Sequence, residues 1–195
     1  HLRPRRQRQM CIRDRDNVAL INNFLGGVDE DWFVTIHVCI EDAASEAVRS
    51  TIALIEETSE SKIEMHLKNI LNSLEKVNKI FKRMPEKCDP YIYYHRVRPY
   101  IFGWKNNPDL PMGLIYEGFY KNKPQQFRGE TGAQSSIIPL LDALFDVKHK
   151  KDSLRDYLEE MLLYMPPAHR ELISQTKKKS KAVSYTHLRA HETPI

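Results

Sequence analysis

Residues 61–81 read SKIEMHLKNILNSLEKVNKIF, and this stretch decides the fold class. Its apolar residues recur every three or four positions, which places them on one face of a long helix. They are Ile63, Leu67, Ile70, Leu74, Val77 and Phe81. Ser61 followed by Glu64 fits a capping box at the helix start. Pro85 ends the pattern, and Pro90 begins the next element.

The same periodicity runs through most of the chain. Residues 32–48 start with an apolar, β-branched part that could form a strand, but one buried helix over the whole stretch is the simpler prediction. Further helices are predicted at 135–147 and 152–164, and Pro166-Pro167 suits the start of another. Residues 106–132 are dense in Pro and Gly, which predicts an ordered loop. The sequence therefore predicts an all-α fold.

The two ends show no apolar pattern. Residues 1–15 hold six Arg and one acid, and residues 183–195 are equally patternless. Both resemble translated sequencing-adapter read-through, so we expect residues 16–182 to be the native helical fragment and 1–15 and 183–195 to be non-native tails.

These ends also account for the positive charge. The chain has 30 Lys and Arg against 26 Asp and Glu, and the two tails contribute seven Arg and two acids, which leaves 23 basic against 24 acidic residues. A nucleic-acid footprint needs a clustered basic face. The basic run that remains, at 177–181, fits a solvated helix end or linker, so no nucleic-acid partner is predicted.

The cysteines and the hydropathy indicate a cytoplasmic protein without a membrane partner. Cys39 and Cys88 are far apart and have no metal-ligand spacing, which favours a reduced protein with no zinc site. No apolar run approaches the roughly 18 residues that a membrane helix needs.

Arg98 is the first candidate for ligand binding. If residues 91–98 are helical, Tyr93, Tyr94 and Arg98 share one side, and Pro99 would kink or end that helix. A guanidinium beside aromatic rings suits a zwitterionic aromatic ligand, because the fork binds a carboxylate while the rings pack on the ligand. The alternative is an Arg stacked on Tyr at the surface.

The loop at 129–136 is the second candidate. Two glycines and small hydroxyl residues allow backbone N–H groups to approach a ligand closely. The loop lacks the Gly-Lys-Ser/Thr of a P-loop, so a phosphate site is a weak interpretation.

Four motifs in order resemble the indoleamine 2,3-dioxygenase family, whose members are haem proteins. They are residues 98–105 (RPYIFGWK), 114–119 (LIYEGF), 128–136 (RGETGAQSS) and 164–170 (YMPPAHR). The resemblance implies oxidative cleavage of the indole C2–C3 bond of L-tryptophan or another indoleamine, with haem b and O2, to N-formylkynurenine. It leaves open a non-catalytic helical interaction protein on the same scaffold, or a related haem enzyme acting on a substituted indole.

The resemblance also assigns residues. It implies that Arg98 binds the substrate carboxylate and that Tyr93 and Phe33 pack on the indole, with Tyr93 standing where many members have Phe. Phe81 is implied to pack on the porphyrin, and the loop to contact both substrate and haem through Gly129, Thr131 and Gly132. Glu130 stands where the family has a second glycine, which would repel a haem propionate unless the side chain points away.

The family resemblance also assigns different roles to the histidines. The resemblance places His37 in the distal pocket, where members often carry Ser and the related tryptophan 2,3-dioxygenases carry His; the alternative is a core histidine bonded to a backbone carbonyl. His169 belongs to a motif read as structural. The family's proximal iron ligand lies past Ile195, so we expect no metal ligand in this chain, no tight haem binding and an inactive fragment.

Overall fold

A computed structural model describes residues 20–190, with side chains up to residue 180. Within that range the chain is helical and contains no β-strand, as predicted. The longer helices are α1 (Val28–Leu54), α2 (Glu60–Phe81), α5 (Ile137–Leu144), α6 (Ser153–Leu162) and α7 (Pro167–Ala190). Between α2 and α5 lie two short helical pieces, α3 (Pro90–Ile92) and α4 (Arg98–Ile101), and single 3₁₀ turns. No helix in the described range is long and apolar enough to span a membrane.

The chain divides into two compact units. The first contains the described residues up to Cys39 together with Ile80–Gly132, and the second contains Ile40–Lys79 together with the chain from Ala133 onward. The predicted boundaries at 16 and 182 remain a prediction: position 16 lies outside the described residues, and helix α7 continues across position 182 to Ala190.

Trp32 anchors the first unit. Its side chain is buried, its Nε1 donates to the carbonyl oxygen of Arg83 at 2.9 Å, and the side chains of Arg83 and Lys87 lie over its ring. The backbone N–H of Asp89 donates to the carboxylate of Asp29 at 2.7 Å. These contacts tie the start of α1 to the chain that follows α2.

Glu30 fixes the segment before α1. Its carboxylate is buried and accepts hydrogen bonds from the backbone N–H groups of Phe24, Leu25 and Gly26 at 2.7 to 2.9 Å. Burial raises the pKa of Glu30, but these three hydrogen bonds lower it more, so the pKa lies below its ordinary value. The ionised carboxylate of Glu30 therefore holds the turn at residues 24–26 in place.

The core of the second unit packs two alanines of α1 against larger aliphatic side chains of α2 and α5. Ala44 and Ala47 of α1 are buried with Ile70 of α2 and Ile137 and Leu141 of α5. Leu74 and Val77 pack against this cluster, as the periodicity of α2 predicts. Leu67 and Phe81 belong to the same predicted face, but they are exposed. The apolar face of α2 is therefore buried only in its middle part.

Some predicted helix ends were wrong. Helix α2 begins at Glu60, and the carbonyl oxygen of Ser59 accepts its first hydrogen bonds, so Ser61 lies inside the helix rather than at its cap. Helix α5 covers less than the predicted 135–147. Asp152 caps α6 by accepting from the backbone N–H of Arg155 at 2.8 Å.

Pro99 does not end its helix. The chain continues from α3 through a π turn at Tyr93–Val97 into α4, which contains Pro99. A proline ring normally clashes with the carbonyl group four residues earlier. In the π turn the backbone N–H of Arg98 bonds to Tyr93, five residues back, and this wider spacing accommodates the proline ring.

Candidate active site

Three aromatic rings form a column in the first unit. Phe33 and His37 lie one turn apart on α1, with ring centroids 4.2 Å apart. Phe33 also stacks on Tyr93 at 3.9 Å, with the two ring planes 24° apart. All three side chains are half-buried. The structure therefore brings together the two residues that the resemblance assigns to the indole and the histidine that it assigns to the distal pocket.

The hydrogen bond of His37 determines which ring nitrogen can accept. Its Nδ1 lies 2.8 Å from the carbonyl oxygen of Phe33. A carbonyl oxygen only accepts, so Nδ1 carries the proton, and in the neutral ring Nε2 is an acceptor. Nε2 faces the loop: a Cβ atom built on Gly132 would lie 3.5 Å from it. The bond to a backbone carbonyl is the contact that the core-histidine alternative predicts. It uses Nδ1, so Nε2 remains available to a ligand.

Tyr93 contributes a neutral phenol to the column. Burial raises the pKa of Tyr93 to about 12, with a smaller lowering effect from the charge of Arg98 and a small raising effect from Cys88. Its hydroxyl has no hydrogen-bond partner in the described part of the chain. The phenol can therefore donate to a ligand at neutral pH.

Arg98 lies between two aromatic side chains. Its guanidinium carbon is 5.8 Å from the ring centroid of Tyr94 and 5.6 Å from that of Phe102. Arg98 is exposed, and no carboxylate of the described residues forms an ion pair with it. The stacking on Tyr94 is the contact that the surface alternative predicts. The N–H groups of the guanidinium nevertheless have no acidic partner among the described side chains.

The glycine loop packs tightly on the chain that follows α4. The N–H of Gly129 donates to the carbonyl oxygen of Phe102 at 3.0 Å. Any Cβ atom on Gly129 would overlap the carbonyl oxygen of Ile101, and one on Gly103, where φ is +82°, would overlap the backbone of Gly129. Glycine is therefore required at both positions by the close approach of two backbones. Thr131 is half-buried, whereas Glu130 is exposed.

A cavity of about 300 Å³ lies on another part of this unit. Its aromatic lining consists of Phe24, Tyr100, Trp104, Tyr116 and Phe127. Glu130 borders it, and Gly129 is the predicted site residue that does so. The column of rings and Arg98 do not line this cavity, so Gly129 is where the predicted site and the cavity meet.

Three other histidines have partners of their own. The ring of His95 packs on Tyr91, His149 bonds to Asp142 at 2.7 Å, and His169 bonds to the hydroxyl of Ser136 at 3.0 Å. The described residues contain no group of three or more His, Cys, Asp or Glu side chains that could hold a metal ion. Phe81, at the end of α2, is 58% exposed.

Phe102 is a contact of the site that the sequence did not indicate. It lies four residues after Arg98, as Tyr94 lies four residues before it, and that symmetry is visible in the sequence. The signal was obscured because Pro99 predicted an end to the helix before Phe102.

A family model agrees with the motifs. The model described as indoleamine 2,3-dioxygenase matches residues 3–193. The chain belongs to this family. Indoleamine 2,3-dioxygenase 1 of Rattus norvegicus is 37% identical over 182 residues, covering 91% of this chain and 44% of the relative. The Mus musculus protein of that name is 39% identical over 163 residues, with 81% and 40% covered.

The similarity extends to fungi. Indoleamine 2,3-dioxygenase of Saccharomyces cerevisiae is 33% identical over 180 residues, which cover 84% of this chain and 39% of the relative. The chain thus spans less than half the length of the indoleamine 2,3-dioxygenases that it matches.

Proposed function

We propose that this chain is the part of a haem-dependent dioxygenase that binds L-tryptophan or a related indoleamine, and that the whole protein opens the indole C2–C3 bond to give N-formylkynurenine. One observation carries the proposal. The Nε2 atom of His37 faces Gly132 at the end of a column formed with Phe33 and Tyr93. The column offers apolar ring faces and a single acceptor nitrogen, which are the features that an indole N–H and its ring require.

Two of the residues that the family resemblance assigns to haem b have features that suit a flat macrocycle. Gly132 has no side chain, and the ring of Phe81 is exposed enough to pack on a porphyrin face. Phe81, Gly129, Thr131 and Gly132 would hold the group. Haem iron supplies the binding and activation of O2, which no side chain can provide.

Arg98 would bind the carboxylate of the substrate. Its guanidinium is positively charged, exposed and without an acidic partner in the described range. A carboxylate can accept two parallel hydrogen bonds from the guanidinium fork, which fixes its orientation as well as its position. The half-buried hydroxyl residue Thr131 would meet the ammonium or carboxylate group of the same ligand.

His37 and the two rings would orient the indole. Neutral Nε2 accepts a hydrogen bond from the indole N–H, while Phe33 and Tyr93 exclude water from the ring faces. Holding the substrate in one orientation lowers the entropy cost of its reaction with O2. In this proposal the protein supplies position, and no side-chain nucleophile takes part.

A substituted indole is the second candidate substrate. The neutral hydroxyl of Tyr93 favours it, because this hydroxyl has no partner among the residues that the structure describes and can donate to a polar substituent on the ring. A relative named 6-hydroxytryptophan 2,3-dioxygenase from Fusarium equiseti is 27% identical over 167 residues. We expect Tyr93→Phe to lower kcat/KM for hydroxytryptophans and not for tryptophan if this candidate is correct.

The reaction is best placed in the cytoplasm. Cys39 and Cys88 are both buried thiols rather than a disulfide, which suits a reducing compartment.

The test of function is product formation by the whole haem-loaded protein. Incubation with tryptophan, O2 and a reductant should yield N-formylkynurenine, identified by mass spectrometry. A protein that binds haem but forms no cleavage product from tryptophan, hydroxytryptophan or tryptamine would support the non-catalytic scaffold instead.

A further inference from the structure

Arg98 is held from both sides along one helical surface. Tyr94 precedes it by four residues and Phe102 follows it by four, and both ring centroids lie within 6 Å of the guanidinium carbon. The π turn keeps the backbone helical through Arg98–Ile101, and Phe102 continues with helical dihedral angles. The three side chains therefore follow one another on successive turns.

These contacts are made at the surface, where an arginine is usually mobile. Arg98 is exposed, and Tyr94 and Phe102 are 61% and 47% exposed. A long side chain without an ion-pair partner samples many rotamers, and ordering it on binding costs conformational entropy. Cation–π contact with two rings reduces that freedom before any ligand arrives.

The contacts also leave the binding edge of the guanidinium available. Aromatic rings interact with the delocalised face of the group, whereas a carboxylate binds the N–H groups in its plane. The charge of Arg98 lowers the pKa of the Tyr93 phenol, against the larger raising effect of burial, so the two groups are close enough to interact electrostatically. An arginine held in this way is suited to receive an anion beside a bound aromatic ring.

We infer that Tyr94 and Phe102 form an aromatic clamp that positions Arg98 for the carboxylate of the substrate. Both are positioning residues, because they act through Arg98 and not on the reacting atoms. This inference rests on the proposed function. By positioning Arg98, Tyr94 and Phe102 would make the site bind indoles that carry a carboxylate more tightly than indoles that do not.

The experiment compares two probes that differ in the carboxylate. Indole-3-propionate and indole are titrated into the full-length haem protein by calorimetry, and steady-state kinetics are measured with tryptophan. Phe102→Leu should weaken indole-3-propionate about three- to fivefold, which corresponds to one cation–π contact at an exposed site, and should leave indole unchanged. With tryptophan, KM should rise while kcat stays constant. Tyr94→Leu should behave in the same way, and Phe102→Tyr should restore binding.

Two controls separate positioning from a general structural effect. Tyr91→Leu removes an exposed ring of α3 that contacts His95 and not Arg98, so it should leave the affinity for both probes unchanged. In an Arg98→Ala background, Phe102→Leu should cause no further loss. Equal weakening of both probes by Phe102→Leu, or additive losses in the double variant, would overturn the clamp.

The same data distinguish failure of the clamp from failure of the proposed site. If Arg98→Ala selectively weakens indole-3-propionate but Phe102→Leu and Tyr94→Leu do not, the clamp is wrong and the carboxylate role of Arg98 stands. If Arg98→Ala weakens neither probe, Arg98 does not bind the carboxylate, and both proposals fall.

Discussion

The Nδ1 atom of His37 donates a hydrogen bond to the carbonyl oxygen of Phe33, one turn earlier on the same helix, at 2.8 Å. This bond holds the ring with Nε2 directed at Gly132. Acceptance by Nε2 depends on the neutral ring, because imidazolium has N–H donors at both nitrogens.

His37→Ser removes the acceptor that we assign to the indole N–H. We expect it to reduce the preference for tryptophan over 1-methyltryptophan, which lacks that N–H, by about tenfold, equivalent to about 1.4 kcal/mol for one hydrogen bond. Dissociation constants of both proteins for both ligands provide the measurement. A lower thermal midpoint with unchanged ligand preference would make His37 a core residue only.

Arg98→Ala should raise KM for tryptophan without altering the haem spectrum. A hydrogen bond to a charged group contributes about 1.5 to 3 kcal/mol, and because Arg98 is exposed we expect the lower half of that range. Arg98→Lys, which keeps the charge but not the fork, should recover part of the loss. An unchanged KM in Arg98→Ala would contradict the assignment.

The two loop glycines should respond differently to a single methyl group. Gly129→Ala places Cβ on the carbonyl oxygen of Ile101, so it should destabilise the fold by about 1 to 3 kcal/mol. Gly132→Ala makes only an ordinary contact with Nε2 of His37, so its unfolding midpoint should stay close to that of the unmodified protein while tryptophan binding weakens. Denaturant unfolding and ligand titration on both variants test this contrast. Unimpaired tryptophan binding by Gly132→Ala would argue against a ligand at Nε2.

Glu30→Gln should lower stability in a pH-dependent way. The pKa of Glu30 is depressed in the folded state, so its contribution is present above the ordinary value of 4.5 and is lost as pH falls through the folded value. The variant keeps a polar side chain but loses charge-assisted bonds to the 24–26 turn, which we expect to cost about 1.5 to 3 kcal/mol at neutral pH. The difference in unfolding free energy from the unmodified protein should shrink in acid. A difference that stays constant down to strongly acidic pH would show that the charge of Glu30 is not responsible.

Two buried threonines provide a matched comparison. Thr176 and Thr51 are both fully buried, but the hydroxyl of Thr51 donates to the carbonyl oxygen of Ala47 at 2.8 Å, whereas Oγ1 of Thr176 has no hydrogen-bond partner among the described side chains and backbone. Thr51→Val should therefore cost about 1 kcal/mol, and Thr176→Val should be neutral or stabilising. Thermal unfolding of the two variants decides the point, and an equal loss in both would mean that the hydroxyl of Thr176 has a partner in solution.

The helices were predictable because periodicity reports the average environment of a long segment. The ladder from Ile63 to Val77 and the apolar part of α1 both gave the correct element type. Local signals were less reliable at the ends. Ser61 and Glu64 fit a capping pattern, yet the helix begins one residue before Ser61, where the carbonyl group of Ser59 is the first acceptor. A short capping pattern is compatible with several first residues of a helix, and tertiary contacts determine which one is used.

The sequence named candidate site residues but not their arrangement. The family resemblance assigned Phe33, His37, Tyr93 and Arg98, which come from separate parts of the chain, and their roles in ligand binding stay predictions. Which nitrogen of His37 accepts, and what holds Arg98, depend on distances that spacing alone does not give. Phe102 escaped prediction because the general rule for proline in a helix did not anticipate a π turn.

The π turn amounts to one extra residue inserted into an otherwise ordinary helix. That insertion sets the angular register between Tyr93 and Arg98. The π turn places Arg98 about one turn after Tyr93, whereas the same five residues in a regular α-helix would carry Arg98 roughly 100° further around the axis. Loss of the π turn without loss of a residue would therefore redirect Arg98 relative to Tyr93. Among related sequences, a chain with one residue fewer between these positions can keep the same register as a regular α-helix.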